Sequence, residues 1–326
     1  MGFRGRASGL LKRLSGIQDI GVILAFVVIC LILGFSTENF FSIANFISIV
    51  RASAYTGIMA LGMVFVLSQR DVDLSVGGIY NFTGIVCAVL LSKGFPIIVA
   101  VLISIMVGMV CGMFNLGLSL AFKIPTIIIT LGTMSVFRGF GLVVSNAKAI
   151  SDFPQDTWFT QVYGTTLFWK IPTGVVLIVV LTIILSFIYS INIFGNRVRA
   201  IGSNPEAARF SGININKYRL MVFALLGALC AVASTLEIAF LGAAVPAMGG
   251  GIEMMVIAAA IIGGTSLAGG QGSVIGAAIG ALIISAIRNG IVQLGVSIYW
   301  QSTVTGFVII AAVAVDYLLK RRKLSA

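Results

Sequence analysis

"RVRAIGSNPEAARFSGININKYR", residues 197–219, carries five of the chain's 21 Lys and Arg residues and lies between two long apolar runs, 171–192 and 219–243. Its centre, "SNPEAARFSG" (203–212), has every punctuation mark of a helix and almost no length. Asn204 is a preferred N-cap, offering its side-chain oxygen to free amides of the first turn. Pro205 falls at the first helical position, where a missing N–H costs nothing. Glu206 sets negative charge against the positive helix end. Gly212 stands where a left-handed C-cap is wanted. The spacing predicts a helix over about 205–211. Isolated helices shorter than roughly 12–15 residues are marginal in water, so something must pack against this one. Ala207, Ala208 and Phe210 offer a small, shallow surface for that contact. Two readings stand side by side: a helix resting on its own membrane domain, or a docking helix for a partner.

Working outward, the rest of the chain reads as lipid-facing. Of 326 residues, 59% are hydrophobic and only 10% charged, with a mean hydropathy of +1.12; soluble domains carry about 25% charged residues. A span needs roughly 17–25 mostly apolar residues. Candidates are 18–35, 50–68, 74–92, 96–121, 125–145, 171–192, 219–243, 252–268, 273–294 and 299–318. The predicted fold class is therefore all-α, a polytopic integral membrane protein of about ten transmembrane helices. It divides into a basic tail (1–17), one transmembrane domain (18–319) that includes the loop 195–219, and a second basic tail (320–326). Segment 36–49, with Phe40, Phe41 and Phe46, is expected to be a short interfacial stretch.

Charge sets the orientation. With both tails inside, the inner loops hold Arg70, Lys123 and the five bases of 197–219, whereas the outer connections hold Lys93, Lys148 and Lys170, with Arg51 at a membrane edge. This is the positive-inside bias, and it places both termini in the cytoplasm. The net charge of +11 is scattered between apolar spans, which argues against a nucleic-acid partner. Membrane lipid is the implied surroundings. The N-terminal apolar run lacks a small-residue cleavage site and reads as a retained first span. Cys30, Cys87, Cys111 and Cys230 lie in apolar runs without CxxC spacing, and the chain has no histidine, so neither a metal site nor a catalytic dyad is expected. No phosphate-binding loop of the G-x-x-x-x-G-K-[ST] type is present.

Thirty-eight glycines add a packing signal. Gly272, Gly276 and Gly280, and likewise Gly108 and Gly112, recur at intervals of four, which lets helix backbones approach closely. Packing within one subunit is the favoured reading over a contact between subunits. Ionisable groups inside spans normally face protein or water; Arg138, Glu237, Glu253 and Arg288 are such groups, with Glu237 and Arg138 expected to lie deepest. In "SQRDVDLSVGG" (68–78), Asp73 is placed to cap a helix beginning at Leu74 by accepting the amide of Ser75 or Val76.

At this point a family resemblance accumulates. "AIGSNPEAARFSGI" resembles the cytoplasmic coupling loop of the ribose/galactose/xylose-type permeases, membrane subunits of bacterial ATP-binding-cassette (ABC) monosaccharide importers. "DLSVGG" (73–78), "IITLGTMSVFRGF" (128–140), "IAAAIIGGTSLAGGQGSVIGAAIGALI" (257–283) and "RNGI" (288–291) resemble further family motifs in the same order, from about residue 38 to 318. The resemblance implies a type II-like importer permease that is not itself an enzyme and binds no cofactor. Its ATP and Mg would sit on a partner ATPase, often a duplicated cassette. Coupling to it would run through Asn204, Pro205, Glu206, Ala207, Ala208, Arg209 and Gly212. It further implies a periplasmic or lipid-anchored sugar-binding protein, a second permease copy or paralogue, and residence in the bacterial inner membrane. The segment around Asp73 and Ser75 is expected to break a helix beside the translocation path, since broken helices are tolerated where they line a cavity. Neutral sugars suit hydroxyls and amides, so Asn81, Thr83, Asn115, Thr130, Thr133 and Asn289 join Arg138 and Glu253 as path candidates; each could equally bond helix to helix. The chain departs from its relatives at Arg70–Asp71, where small residues such as glycine are usual, and at Phe240, where some carry arginine. A branched-chain amino acid or other small-solute permease is the alternative of similar architecture. An ion-coupled carrier and an integral membrane enzyme are alternatives of different class.

Overall fold

The computed structural model describes residues 19–37, 39–168 and 171–297, and beyond them positions 300, 303–307, 310 and 314. Both basic tails and most of the expected span 299–318 lie outside the described residues.

The chain is a bundle of helices: α1 (Asp19–Ser36), α2 (Ile43–Ser68), α3 (Val76–Ser92), α4 (Ile97–Phe122), α5 (Thr126–Val144), α6 (Thr173–Ser190), α7 (Ile193–Ser203), α8 (Pro205–Phe210), α9 (Ile215–Leu241), α10 (Ile252–Ile262) and α11 (Val274–Gln293). Among the described residues, α2, α4, α5, α6, α9 and α11 are each long and apolar enough to cross a membrane. The protein is a multi-pass membrane protein. Among the described residues one small sheet pairs Thr166–Phe168 with Ile171–Pro172, antiparallel, after a π-helical turn at Phe159–Tyr163.

Pro96, Pro125 and Pro172 stand immediately before α4, α5 and α6. Proline fixes φ and has no N–H to leave unpaired, so it opens a helix without loss. Helices α2, α9 and α11 form the buried centre, while α4, α5 and α6 turn most of their surface outward to lipid. Close approach is bought with glycine. At the α4–α9 crossing, a Cβ on Gly108 would lie 2.3 Å from the Gly227 carbonyl, and one on Gly112 would lie 2.0 Å from that of Phe223. Gly280 meets the Ala259 carbonyl in the same way between α10 and α11. These small-residue faces pack within the chain, as favoured from their spacing. Cys87, Cys111 and Cys230 are buried, Cys30 is half-buried, and all four are free thiols.

Three expectations need correction. The span expected over 50–68 begins earlier, inside the stretch 36–49: Ser42 accepts the Asn45 amide and starts α2 at Ile43. The span expected over 74–92 becomes helical only at Val76, after an irregular segment at 69–75. The span expected over 252–268 stops at Ile262. Gly264 (φ +89°), Gly269 and Gly270 (both +78°) are left-handed, a region costly for any residue with a Cβ, and they turn 263–273 into a folded loop. Helix α10 is therefore about 16 Å long, half the ~30 Å hydrocarbon core.

The bundle has two distinct ends. One carries the C-termini of α2, α4 and α6, the short helices α7 and α8, the start of α9 and the loop 263–273, and is rich in Lys and Arg. We term it the basic end. The opposite end carries residues 145–168 and 171–172 and the loop 242–251, joined by a bridge between Ile150 and Ala244.

Candidate functional site

At the basic end, α8 is held chiefly by its own caps. Asn204 Oδ1 accepts the Ala207 amide at 3.0 Å, and Glu206 lies in the first turn. Gly212 has φ +77°. Its N–H donates to Arg209 O at 3.0 Å, and that of Ile213 donates to Ala208 O at 3.1 Å, the paired bonds of a Schellman terminus. The helix ends at Phe210, one residue earlier than expected, with Ser211 as its C-cap. Ala208 is the one α8 side chain that packs inward, at 4% exposure; Phe210 points away and is 91% exposed. Glu206, Ala207 and Arg209 are exposed beside it. The result is a rigid, solvent-facing knob with an aromatic tip.

Helix α7 was not foreseen. The signal for it lay in Asn192, which accepts the Phe194 amide, followed by apolar residues that turn inward at Val198 and Ile201. Arg199 lies over the Tyr189 ring at 5.2 Å and Arg197 over Tyr218 at 5.4 Å. These contacts fasten α7 to α6 and α9.

Above the knob, the break at 69–75 enters the bundle. Asp73 is fully buried. It accepts the Ser75 amide at 2.8 Å, the Ser75 hydroxyl at 2.7 Å and, more weakly, Asn115 Nδ2 at 3.4 Å. Asn115 Nδ2 also donates to Ser75 Oγ at 2.6 Å. Thr130 Oγ1 accepts the Leu74 amide at 3.0 Å. Asp73, Ser75, Asn115 and Thr130 are thus one cluster. Asp73 makes the foreseen bond to the Ser75 amide, but the helix starts at Val76 rather than Leu74, so the N-cap position falls to Ser75, without a side-chain capping bond. Thr133 donates to Thr130 O in its own helix; Thr83 donates to Ile79 O and Tyr80 O in its own, and its carbonyl accepts the Ser104 hydroxyl of α4 at 2.7 Å.

A second cluster follows within two residues along α3. Gly78 packs on the backbone of Met134, near the middle of α5. A Cβ on Gly77 would lie 2.4 Å from Glu253 Oε2 and 2.7 Å from Gly249 O. Glu253 sits in the first turn of α10 and pairs with Arg138 Nη2 at 3.1 Å; Arg138 also donates to Gly249 O at 3.3 Å. The starts of α3 and α10 therefore meet in mid-bundle, and two positive helix ends share one carboxylate. Glu253, expected nearer a span end, is deep because loop 242–251 folds inward before α10 starts. Asn81 ties that loop down, donating to Pro246 O at 2.9 Å and Met248 O at 3.2 Å. Glu237 accepts the Tyr80 hydroxyl. Beside Phe240 stands a cation after all: the Arg51 guanidinium is 4.4 Å from its ring centre.

Asn289 belongs to neither cluster. It lines a cavity of about 290 Å³ between α2, α10 and α11 with Thr56, Ser285 and Arg288, whose guanidinium donates to the Met255 sulfur. Hydroxyls, an amide and a cation around one small cavity can hold a compact polar molecule, and the volume falls at the lower end for small-ligand sites. Among the described residues no group of His, Cys, Asp and Glu could hold a metal ion.

Comparison with known proteins is extensive. Residues 45–313 match the family described as "Branched-chain amino acid transport system / permease component". The "Probable ABC transporter permease protein YphD" of Escherichia coli (strain K12) is 34% identical, covering 95% of this chain and 92% of its own length. The "Ribose import permease protein RbsC" of Bacillus subtilis (strain 168) is 35% identical over 92% of each chain. The "Xylose transport system permease protein XylH" of Escherichia coli (strain K12) is 33% identical, covering 98% of this chain and 96% of its own.

Proposed function

The chain belongs to the family of branched-chain amino acid transport system permease components, and on that premise we propose that it is the membrane-spanning subunit of an ATP-driven importer of a monosaccharide. The ribose and xylose permeases among its near-full-length relatives support the sugar. In this reading the transmembrane unit covers 18–319, the tails 1–17 and 320–326 face the cytoplasm with the basic end, and the surrounding bilayer is a bacterial inner membrane. A separate ATPase, holding ATP and Mg, docks on loop 195–219. A soluble sugar-binding protein meets the opposite end. A second copy or paralogue completes the pore. Closure of the ATPase pushes on α8 and tilts the bundle.

The observation that carries this reading is the tip of α8. Aromatic residues are enriched at protein interfaces, and Phe210 stands 91% exposed on a doubly capped helix. Asn204, Pro205 and Gly212 hold its shape, and Glu206, Ala207, Arg209 and Phe210 present the contact. Ala208 seats it. The path reading of Asp73, Ser75, Asn115, Thr130, Arg138 and Glu253 draws support from a break in mid-membrane, a position where transporters place substrate sites.

The test is Phe210→Asp in cells that also express the importer's ATPase and sugar-binding protein. Because Phe210 touches almost nothing, insertion and thermal unfolding should match wild type, while the ATPase no longer co-purifies and sugar uptake falls at least about a hundredfold. Wild-type uptake with the ATPase still bound would overturn the docking role. The family's description favours a second reading, an amino acid substrate. Uptake of labelled leucine, unaffected by excess ribose or xylose, would select it.

A further inference from the structure

Two adjacent residues hold both flanks of α8. Arg70 donates through Nε to Gly202 O and through Nη2 to Ser203 O at 2.8 Å, so its guanidinium covers the end of α7 just before α8. Asp71 accepts Arg219 Nε at 2.7 Å and Nη2 at 2.6 Å, a two-pronged pair with the start of α9 just after α8. Such bidentate bonds fix direction as well as distance.

The grip is also built into the backbone. Arg70 has φ +67°, a conformation disfavoured for a residue that carries a Cβ, so the surroundings must enforce it. They do. The Arg70 Cγ packs where a Cβ on Gly269 would come within 2.4 Å, and the Gly270 amide donates to Ser68 O at 2.9 Å. A Cβ on Gly202 would lie 1.7 Å from Ser68 O, so α7 and α2 touch backbone to backbone here. On the other side, Asp71 Oδ1 also accepts the Thr126 hydroxyl at 2.9 Å, at the first residue of α5.

We infer that Arg70 and Asp71 form a rigid link that carries displacement of α8 to the mid-membrane break. From Asp71 the chain runs two residues to Asp73, whose carboxylate fixes Ser75 and, through it, Asn115 and the start of α3. A shift of the α8 flanks moves the 69–75 segment with them, and the first turn of α3 beside Glu253 follows. Both are positioning residues. Their use in transport rests on the importer reading above; the link itself does not.

The test uses the full chain purified in lipid nanodiscs, with amide hydrogen exchange as the readout. Arg70→Gly is the principal variant, because glycine accepts φ +67° without strain and the fold is kept. Asp71→Asn removes the charge of the other arm. Exchange is expected to rise about fivefold at 205–212 and also at 74–78 in each variant, while 98–110 in α4 is unchanged. A rise at 205–212 alone, or at neither segment, overturns the link. The reconstituted importer supplies a second arm: Arg70→Gly should keep ATP hydrolysis and lose at least about tenfold in sugar moved per ATP. An unchanged ratio overturns the link's role in coupling. If exchange spreads as expected but wild-type protein neither binds an ATPase nor moves sugar, the importer reading falls and the link stands.

Discussion

Helix α8 and the break at 69–75 are both short and both marked by polar residues, yet they are held in opposite ways. Helix α8 satisfies itself: Asn204 closes one end, Gly212 the other, and Ala208 alone turns inward. The break satisfies itself only in part, through the two bonds from Ser75 to Asp73. The rest of its order comes from Asn115 on α4, Thr126 and Thr130 on α5, and Arg219 on α9. The difference teaches which kind of element can yield without loss of the fold. A self-capped helix can lose its own bonds without loss of the fold, while its flanks stay tied to the break through Arg70 and Asp71. A break held by three other helices can move only if they move.

The sharpest way to break this contrast is to attack the ion pair beside the break. Arg138→Met leaves the Glu253 carboxylate without its cation, offset only by the two helix starts, which should cost up to about 3–5 kcal/mol. The thermal unfolding midpoint in detergent should fall accordingly, and Arg138→Met/Glu253→Leu should recover most of it. If the single variant unfolds like wild type, the mid-bundle junction is not structural. Next in size is Asp73→Ala. It strands the Ser75 amide and hydroxyl in a buried site, at about 1–3 kcal/mol for each donor left unpaired, again read in the unfolding midpoint.

The smallest expected effect is the most telling for the comparison. Asn204→Ala removes a cap worth about 1 kcal/mol, but from an element that opens alone. Amide exchange across 205–212 should quicken while the unfolding midpoint stays put. Should Asn204→Ala lower the midpoint as far as Asp73→Ala does, the two elements are held alike and the contrast is lost.

The same difference explains what could be read without a structure. The α8 helix was legible to within one residue because capping is a local code: a side chain, a proline and a glycine at fixed offsets. The long spans were legible because hydropathy is additive along the chain. Asp73 was legible as an acceptor of the Ser75 amide but not in its distant partner, since Asn115 is 42 residues away and no local rule points to it. The end of α10 at Ile262 was hidden because an apolar run looks alike whether it spans the membrane or stops halfway. The inward fold of 242–251 set the depth of Glu253, and no hydropathy window reports such a fold. Arg70 and Asp71 stood out as unusual residues, but what they hold lies on α7 and α9, more than a hundred positions away.

The four thiols have a practical consequence. Three are enclosed, the fourth sits half-covered on α1, and α8 contains none. A single cysteine introduced at Phe210 or Glu206 would therefore be the first thiol that a water-soluble maleimide meets. Fluorophores or spin probes can be attached to the knob with the native sulfurs left in place, and its excursions timed during turnover.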